Sequence, residues 1–377
     1  MTTIGVIGLW HLGCVVAVSW SDLGNQVIAV DFDQSRIDLL SKGEPPLFEP
    51  GLKDAVAKGL SSGHLNFSID PSRLAECQFV FIAHDTPVGN DDMPNIASLE
   101  ADLERVLPFL KANTIVVVSA QLAVGTARRW RNLLQDVDPS IELVYSPENL
   151  RLGEALECYA QPGHIVIGGD SSEAITAVAG LFSPMKAQIV EMNLPSAEMT
   201  KHGINSFLAT SITLANELAN QCEDSGASFE AVSTIMRLDP RIGSRAYLSA
   251  GIGFSGGTLG RDLCVLDKAA IATGRKQHLI SAVRASNRSR VKYVGNKIAR
   301  ELGSLKGRVV TLLGMTYKPG TSTLRRSLPL AVAEDLISHG AIVRVYDPKA
   351  DWKELSESLE GTFIIATNPY SAVEGAH

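Results

Sequence analysis

The sequence of 377 residues has no surplus of basic side chains, since 34 Lys and Arg stand against 41 Asp and Glu for a formal charge of −7. Without a Lys/Arg cluster it lacks the footprint of a nucleic-acid binder, so small molecules and protein chains are the expected partners. Long apolar runs are missing too. None reaches the roughly 18 to 20 residues that a helical bilayer span needs, which excludes a membrane-spanning helix. A strand pattern begins at Thr3 with no basic-then-apolar leader before it, and the expected location is cytoplasmic. Cysteine is scarce. Cys14, Cys77, Cys158, Cys222 and Cys264 are odd in number and lack metal-ligand spacing, so buried free thiols are expected, with no disulfide frame and no metal site.

Hydrophobic residues make up 45% of the chain, enough at this length to build two or three cores. Short apolar strands alternate with helix-length segments. The strands fit Thr3 to Gly8, Val27 to Val30, Phe79 to Ala83, Thr114 to Ser119, Leu143 to Tyr145 and Ile165 to Ile167. Helices fit Leu12 to Leu23, Leu99 to Leu110 and Thr126 to Leu134, which together describe an open, mostly parallel sheet. From Ala197 apolar residues recur at three-and-four spacing over a long run, the pattern of a central helix that builds a dimer interface. A second helical stretch spans Asp262 to Leu302. Strand, helix and strand patterns at Arg308 to Leu313, Leu328 to Ile337 and Ile342 to Tyr346, with a last strand at Phe363 to Ala366, describe a second small α/β unit. The expected fold is therefore α/β, two Rossmann-like domains joined by a helical dimerisation region, with boundaries at 1–195, 196–304 and 305–377.

Gly8, Gly13 and Asp31 fall where the first glycine, the last glycine and the ribose-binding acid of a dinucleotide fingerprint belong. The middle glycine is replaced by Trp10, at the place where bare backbone normally lets a diphosphate approach the helix start. Asp31 favours NAD over NADP, because a carboxylate chelates ribose hydroxyls and repels a phosphate.

Several further motifs carry a resemblance. They are GEPPLFEPGL at 43–52, DTPV at 85–88, VGT at 124–126, SPENLR at 146–151, DPRIG at 239–243, GFSGGTLGRD at 253–262 and GMTYKPGTSTLRRS at 314–327. On these the chain resembles the UDP-glucose/GDP-mannose (nucleotide-sugar) dehydrogenase family over essentially its whole length. The resemblance implies an NAD site built from Gly8, Trp10, His11, Leu12, Gly13, Asp31 and Arg36, with Thr86, Gln121 and Arg325. It implies a nucleotide-sugar site from Glu148, Asn149, Leu150 and Arg151, then Arg241 and Tyr247, then Gly253, Phe254, Gly256, Gly257 and Arg261, with Lys318 from the last domain. A homodimer through the central helix, and a place in polysaccharide biosynthesis, are implied as well.

The family oxidises a primary alcohol twice. The first oxidation needs a cation for the developing alkoxide and a path for the proton, and Lys201, Asn205 and Asp262 match the positions that supply them. The second needs a thiolate to trap the aldehyde and an activated water to release the acid. At those positions stand Thr258, Leu152 and Gln121. An aliphatic hydroxyl stays protonated without a dedicated base, so Thr258 is expected to contact the sugar rather than attack it. The expected activity is an NAD-dependent two-electron oxidation or redox epimerisation of a nucleotide sugar, a UDP-sugar first. A sugar-nucleotide-binding pseudoenzyme and a four-electron enzyme with Cys264 as relocated thiol stand as alternatives. His84 and Asp85 depart from the family beside the nicotinamide loop, and alternation along an extended chain allows only one of the two to face the site. Ser322 and Thr323 replace two acids of the last motif.

Overall fold

The computed structural model describes residues 2–86, 88–89, 93–148, 150–356, 359 and 361–377. The chain divides into two compact units, one of residues 1–89 and 94–201, the other of residues 90–93 and 202–377.

In the first unit, β1 (Thr3–Ile7), β2 (Gln26–Val30), β3 (Leu65–Ser68), β4 (Phe79–Ile82), β5 (Ile115–Val118), β6 (Glu142–Tyr145), β7 (His164–Gly168) and β8 (Gln188–Met192) form one sheet in the order β3-β2-β1-β4-β5-β6-β7-β8. Every pairing is parallel except β6 with β7, which meet at Tyr145 and Gly168. Side chains alternate across this sheet. Phe79 and Phe81 of β4 pack into one core with Ile4, Val6, Val15 and Trp20, while Val80 and Ile82 enter the other with Ile7, Leu99 and Trp130. Both faces are therefore apolar, which is why these strands read as unbroken hydrophobic runs. Covering the faces are α1 (His11–Asp22), α2 (Gln34–Leu40), α3 (Leu52–Ser61), α4 (Ala97–Val106), α5 (Thr126–Val137), α6 (Ala155–Ala160) and α7 (Ser172–Phe182). Trp20 lies with its ring 5.6 Å from Phe81 and 5.2 Å from Phe182, anchoring the core beneath α1.

Strand order reverses between β1 and β4, and in open α/β sheets the crevice outside the strand ends at such a switch is where ligands bind. The turn after β1 is tight. Gly8 adopts φ +88°, a left-handed conformation that suits glycine, and a Cβ on Gly13 would come within 1.8 Å of the Gly8 carbonyl oxygen, so α1 can start only where both positions lack side chains.

α8 (Leu194–Ser225) carries the boundary between the units, which falls between Lys201 and His202. The second unit continues with α9 (Phe229–Leu238), a single π-helical turn at Gly256–Gly260, α10 (Arg261–Ala272) and α11 (His278–Leu302). Its sheet is β9 (Val309–Leu313), β10 (Ile342–Tyr346) and β11 (Ile364–Ile365), parallel in the order β11-β10-β9, with α12 (Leu328–Ser338) and α13 (Pro369–Val373). Val310, Met315, Val332, Leu336, Val343 and Val345 fill the core of that small domain. A separate cluster of Ala209, Phe254, Leu263, Ile280 and Val283 supports the π turn. Among the described residues no helix is long and apolar enough to cross a membrane, and no group of His, Cys, Asp and Glu is arranged for a metal. Cys14, Cys77, Cys222 and Cys264 are buried and Cys158 is half-buried, all as free thiols.

Candidate active site

In the first unit the predicted cofactor residues gather at the switch point. Asp31, at the end of β2, is buried, and its carboxylate accepts from the Leu9 N–H at 2.6 Å and the Asp33 N–H at 2.9 Å. Arg36 of α2 closes on the same carboxylate through one guanidinium nitrogen at 2.8 and 2.7 Å, and lies 5.4 Å from the centre of the Trp10 indole. Trp10 is thus half-buried under a cation at the ribose end of the turn.

α1 begins without a side-chain cap of its own, because Trp10 has no oxygen to offer. The Asp85 carboxylate fills that role from the loop after β4. It accepts from the Leu12 N–H at 2.8 Å, and the His11 N–H also donates to it. Asp85 is exposed as a residue, while the protein around its carboxylate raises its pKa above the usual aspartate range, with the Glu148 charge adding to the effect and His11 and the two amides opposing it. Beside it, His84 bonds through Nε2 to Asp102 at 2.8 Å and rests its ring where a Cβ on Gly8 would be, 2.6 Å from Cγ. Both members of the pair therefore face the turn, against the alternation expected of an extended chain. β4 ends at Ile82, and beyond it the backbone no longer alternates sides.

His11 does not point at the turn's open side. Its Nε2 sits 2.8 Å from Glu49, whose other contacts are the Gly153 and Ala155 N–H groups, both at 2.8 Å. Burial alone would lower the His11 pKa, but Glu49 and the charges of Asp85 and Glu148 outweigh it and the net shift is upward. Thr86 donates to the Gln121 carbonyl at 3.1 Å, tying the loops after β4 and β5 together. Glu198 of α8 accepts from the Gly125 and Ala127 N–H groups at 2.6 and 2.7 Å, capping α5. Lys201 is buried and donates to the Glu148 carbonyl oxygen. Glu148, Leu150 and Arg151 border a cavity of about 250 Å³ with Ser146, Tyr159 and Phe182. Asn149 lies outside the described residues.

In the second unit Asp262 is fully buried at the start of α10. Asn205 Nδ2 donates to it, His202 Nδ1 lies 3.1 Å away and Arg261 Nε 3.8 Å. Burial would raise its pKa. The His202 hydrogen bond, the Arg261 charge and Asn205 together prevail and hold the carboxyl below the usual range. Thr258 sits in the π turn with the Tyr317 hydroxyl beside its own; burial raises the Tyr317 pKa and the Thr258 hydroxyl opposes that rise. Gly253, at φ +106°, precedes Phe254, whose N–H and carbonyl are both clamped by Asn287 at 2.8 Å. A Cβ on Gly257 would come 3.4 Å from Arg326, while Gly256 opens the turn. Cys264 is not directed at this loop's hydroxyl: its sulfur lies 3.5 Å from Met93 Sδ and 3.4 Å from Arg284 Nη2.

Other predicted residues are more open. Arg241 is exposed and folds back on Asp239 at 2.6 Å, Tyr247 is exposed, and Arg325 lies 3.7 Å from Glu354. Lys318 is half-buried and offers its carbonyl to Thr316. Thr323 donates to Glu354 at 2.8 Å, so the 314–327 loop is docked on an acidic group from elsewhere in the domain. Sequence reasoning missed His202, Tyr317 and the role of Asp85. It also missed Arg284, Arg288 and Arg326, which line a cavity of about 220 Å³ with Phe254 and Asn287.

An open parallel sheet with a glycine turn at its switch point and a buried acid on the second strand defines a dinucleotide-dependent oxidoreductase. Residues 2–186 match the UDP-glucose/GDP-mannose dehydrogenase family, NAD binding domain; residues 195–289 match its central domain and 311–377 its UDP binding domain. The chain belongs to this family, and it is an NAD-dependent oxidoreductase of the nucleotide-sugar dehydrogenase class acting on CH–OH. It is 34% identical over 378 residues to the UDP-glucose 6-dehydrogenase TuaD of Bacillus subtilis (strain 168), covering 99% of this chain and 82% of that protein. To the UDP-glucose 6-dehydrogenase of Rhizobium meliloti (strain 1021) it is 34% identical over 385 residues, 99% and 87% of the two chains. The structure of a UDP-glucose dehydrogenase from Pyrobaculum islandicum superposes with a TM-score of 0.94 at 30% identity, covering 100% of this chain and 88% of that one.

The turn fits NAD in part. Gly8 and Gly13 permit the tight turn and Asp31 stands at the end of β2 where ribose would lie, although its carboxylate is held by Arg36, and His84 Nδ1 is a buried polar atom with no hydrogen-bond partner among the described residues. The helix start is the exception, because its amides already hold a carboxylate.

Proposed function

We propose that this chain removes one hydride from a UDP-sugar and stops at the carbonyl, or returns the hydride to the other face as an epimerisation. NAD, when bound, supplies the acceptor for the hydride. Lys201 stabilises the alkoxide as the carbinol C–H electrons leave, and Asp262, held ionised and oriented by Asn205 and His202, directs the path by which the hydroxyl proton departs. Thr258 holds the sugar in place. The observation that carries this reading is the chemistry of the π turn: the position that the resemblance assigns to a thiol bears the Thr258 hydroxyl, with the Tyr317 hydroxyl beside it. A thioester requires a sulfur, and Cys264 is engaged with Arg284 and Met93. Arg284, Arg288 and Arg326 around one cavity support an anionic, nucleotide-bearing substrate.

The three-part division at 195 and 304, a cytoplasmic setting and a homodimer complete the proposal. Phe207, Ile235 and Leu238 are 71%, 68% and 73% exposed, an apolar face of the kind that a second copy covers. The test of the chemistry is incubation with NAD and a panel of UDP-sugars, followed by mass spectrometry. One NADH per sugar and a carbonyl or epimer product is expected; two NADH with a uronic acid overturns the proposal. A second reading, sugar-nucleotide binding without redox chemistry, is favoured only by the carboxylate at the start of α1, and calorimetry showing UDP-sugar binding with no NAD binding would establish it.

A further inference from the structure

The geometry points to Asp85 as an internal stand-in for the cofactor's diphosphate, and hence as the residue that sets how weakly this chain binds NAD. The amides of His11 and Leu12 are the first free N–H groups of α1, the groups that a diphosphate at a dinucleotide fingerprint must reach. Here they donate to Asp85, with Leu12 N to Oδ2 at 2.8 Å. A carboxylate and a phosphate oxygen are both anionic acceptors, so they compete for the same donors and the same positive end of the helix. Asp85 is in no position to share: two anions at one helix start repel, and Glu49 and Glu148 are further carboxylates whose charges act at the same place, with His11 as the nearby cation.

Three details make this a built arrangement. Trp10 cannot cap the helix, so without Asp85 the amides would be left open. Asp85 is anchored by chain geometry, since His84 beside it is fixed by Asp102 and packs on Gly8. Asp31 is likewise tied to Arg36 and Leu9, so the ribose end and the diphosphate end are both closed by the protein's own ion pairs and hydrogen bonds. NAD must displace Asp85 before it can bind, and the observed affinity falls by the fraction of molecules in which the carboxylate has swung away.

This inference rests on the NAD-dependent activity and not on the number of hydrides transferred. The experiment is calorimetric titration of the full-length protein with NAD alone, in the wild type and in the Asp85→Ala and Asp85→Asn variants, each checked for a wild-type circular dichroism spectrum and a cooperative melt. Opening the seat is expected to tighten NAD binding about tenfold in Asp85→Ala, the effect of one displaced anion at a helix start. Asp85→Asn keeps an acceptor but loses the charge, so an intermediate gain is expected there. An unchanged or weaker Kd in both variants overturns the proposal, and so does absence of NAD binding in all three proteins, which would also remove the redox reading. A tightened Kd together with two NADH per sugar would leave this proposal standing and remove only the two-electron one.

Discussion

Truncating Asp262 to alanine should cost more stability than any exposed ion pair in this protein. Asp262 and His202 have side chains 0% and 1% exposed, with 3.1 Å between Oδ1 and Nδ1, and the Arg261 guanidinium lies 3.8 Å away. Deleting the carboxylate leaves a buried imidazole and a nearly buried guanidinium facing a void. Breaking a buried pair from one side costs about 3–5 kcal/mol, which, at the usual urea dependence of about 1–3 kcal/mol per molar, moves the unfolding midpoint by more than about 1 M. The assay is urea unfolding followed by circular dichroism for wild type, Asp262→Ala, His202→Ala and the double variant. A coupling of up to about 3 kcal/mol between the two sites is expected. The pH dependence has a definite sign. Because the folded-state pKa of Asp262 is depressed, its stabilisation is full above the unfolded aspartate value and is lost as pH falls through the lower folded value. The wild-type advantage over Asp262→Ala should therefore hold at pH 5 to 7 and shrink only below about pH 4. A loss under about 1 kcal/mol with additive single variants would refute the buried-pair argument.

Gly13→Ala places a methyl 1.8 Å from the Gly8 carbonyl oxygen, so it should lower the melting temperature through overpacking of about 1–3 kcal/mol and weaken NAD binding measured by calorimetry; a neutral result would mean that the turn yields to the methyl. Thr258→Cys by itself should still yield one NADH per sugar, because Leu152 cannot activate water; two NADH per sugar would show that a thiol alone completes the second oxidation. Tyr317→Phe removes the hydroxyl beside Thr258 and is expected to lower kcat/KM for the sugar by about tenfold while leaving NAD affinity untouched, and equal kinetics would remove Tyr317 from the site. Glu49→Gln should lower the His11 pKa, read by NMR titration: in the wild type the His11 contribution to stability is full below the unfolded value near 6.5 and fades as pH rises through the higher folded value, and the variant should lose that high-side plateau.

Strands buried on both faces announced themselves, since β1, β2, β4, β5 and β6 are near-continuous Val, Ile, Leu and Phe. β3 and β8 did not. Leu65–Ser68 and Gln188–Met192 lie at the two edges of the sheet, where polar side chains remain in contact with solvent and the hydrophobic run breaks up. The fingerprint glycines and Asp31 were legible because local backbone geometry fixes their spacing. Asp85 was not, as it acts on Leu12 across 73 positions and only the adjacency of β1 and β4 brings the two together. His202 and Tyr317 were opaque for a related reason. Each meets its partner, Asp262 or Thr258, from about 60 residues away, and a histidine on a helix or a tyrosine in a loop carries no periodic signal of such a meeting.

The hiding of its sulfur gives this protein a chemical temperament. Burial pushes the Cys77 thiol up to about 12 and Cys14 higher still, and the π turn bears the Thr258 hydroxyl. Peroxide and alkylating reagents act on exposed thiolates, and here they meet almost none. On the thiol-free chemistry proposed above, peroxide should leave the turnover of this protein unchanged.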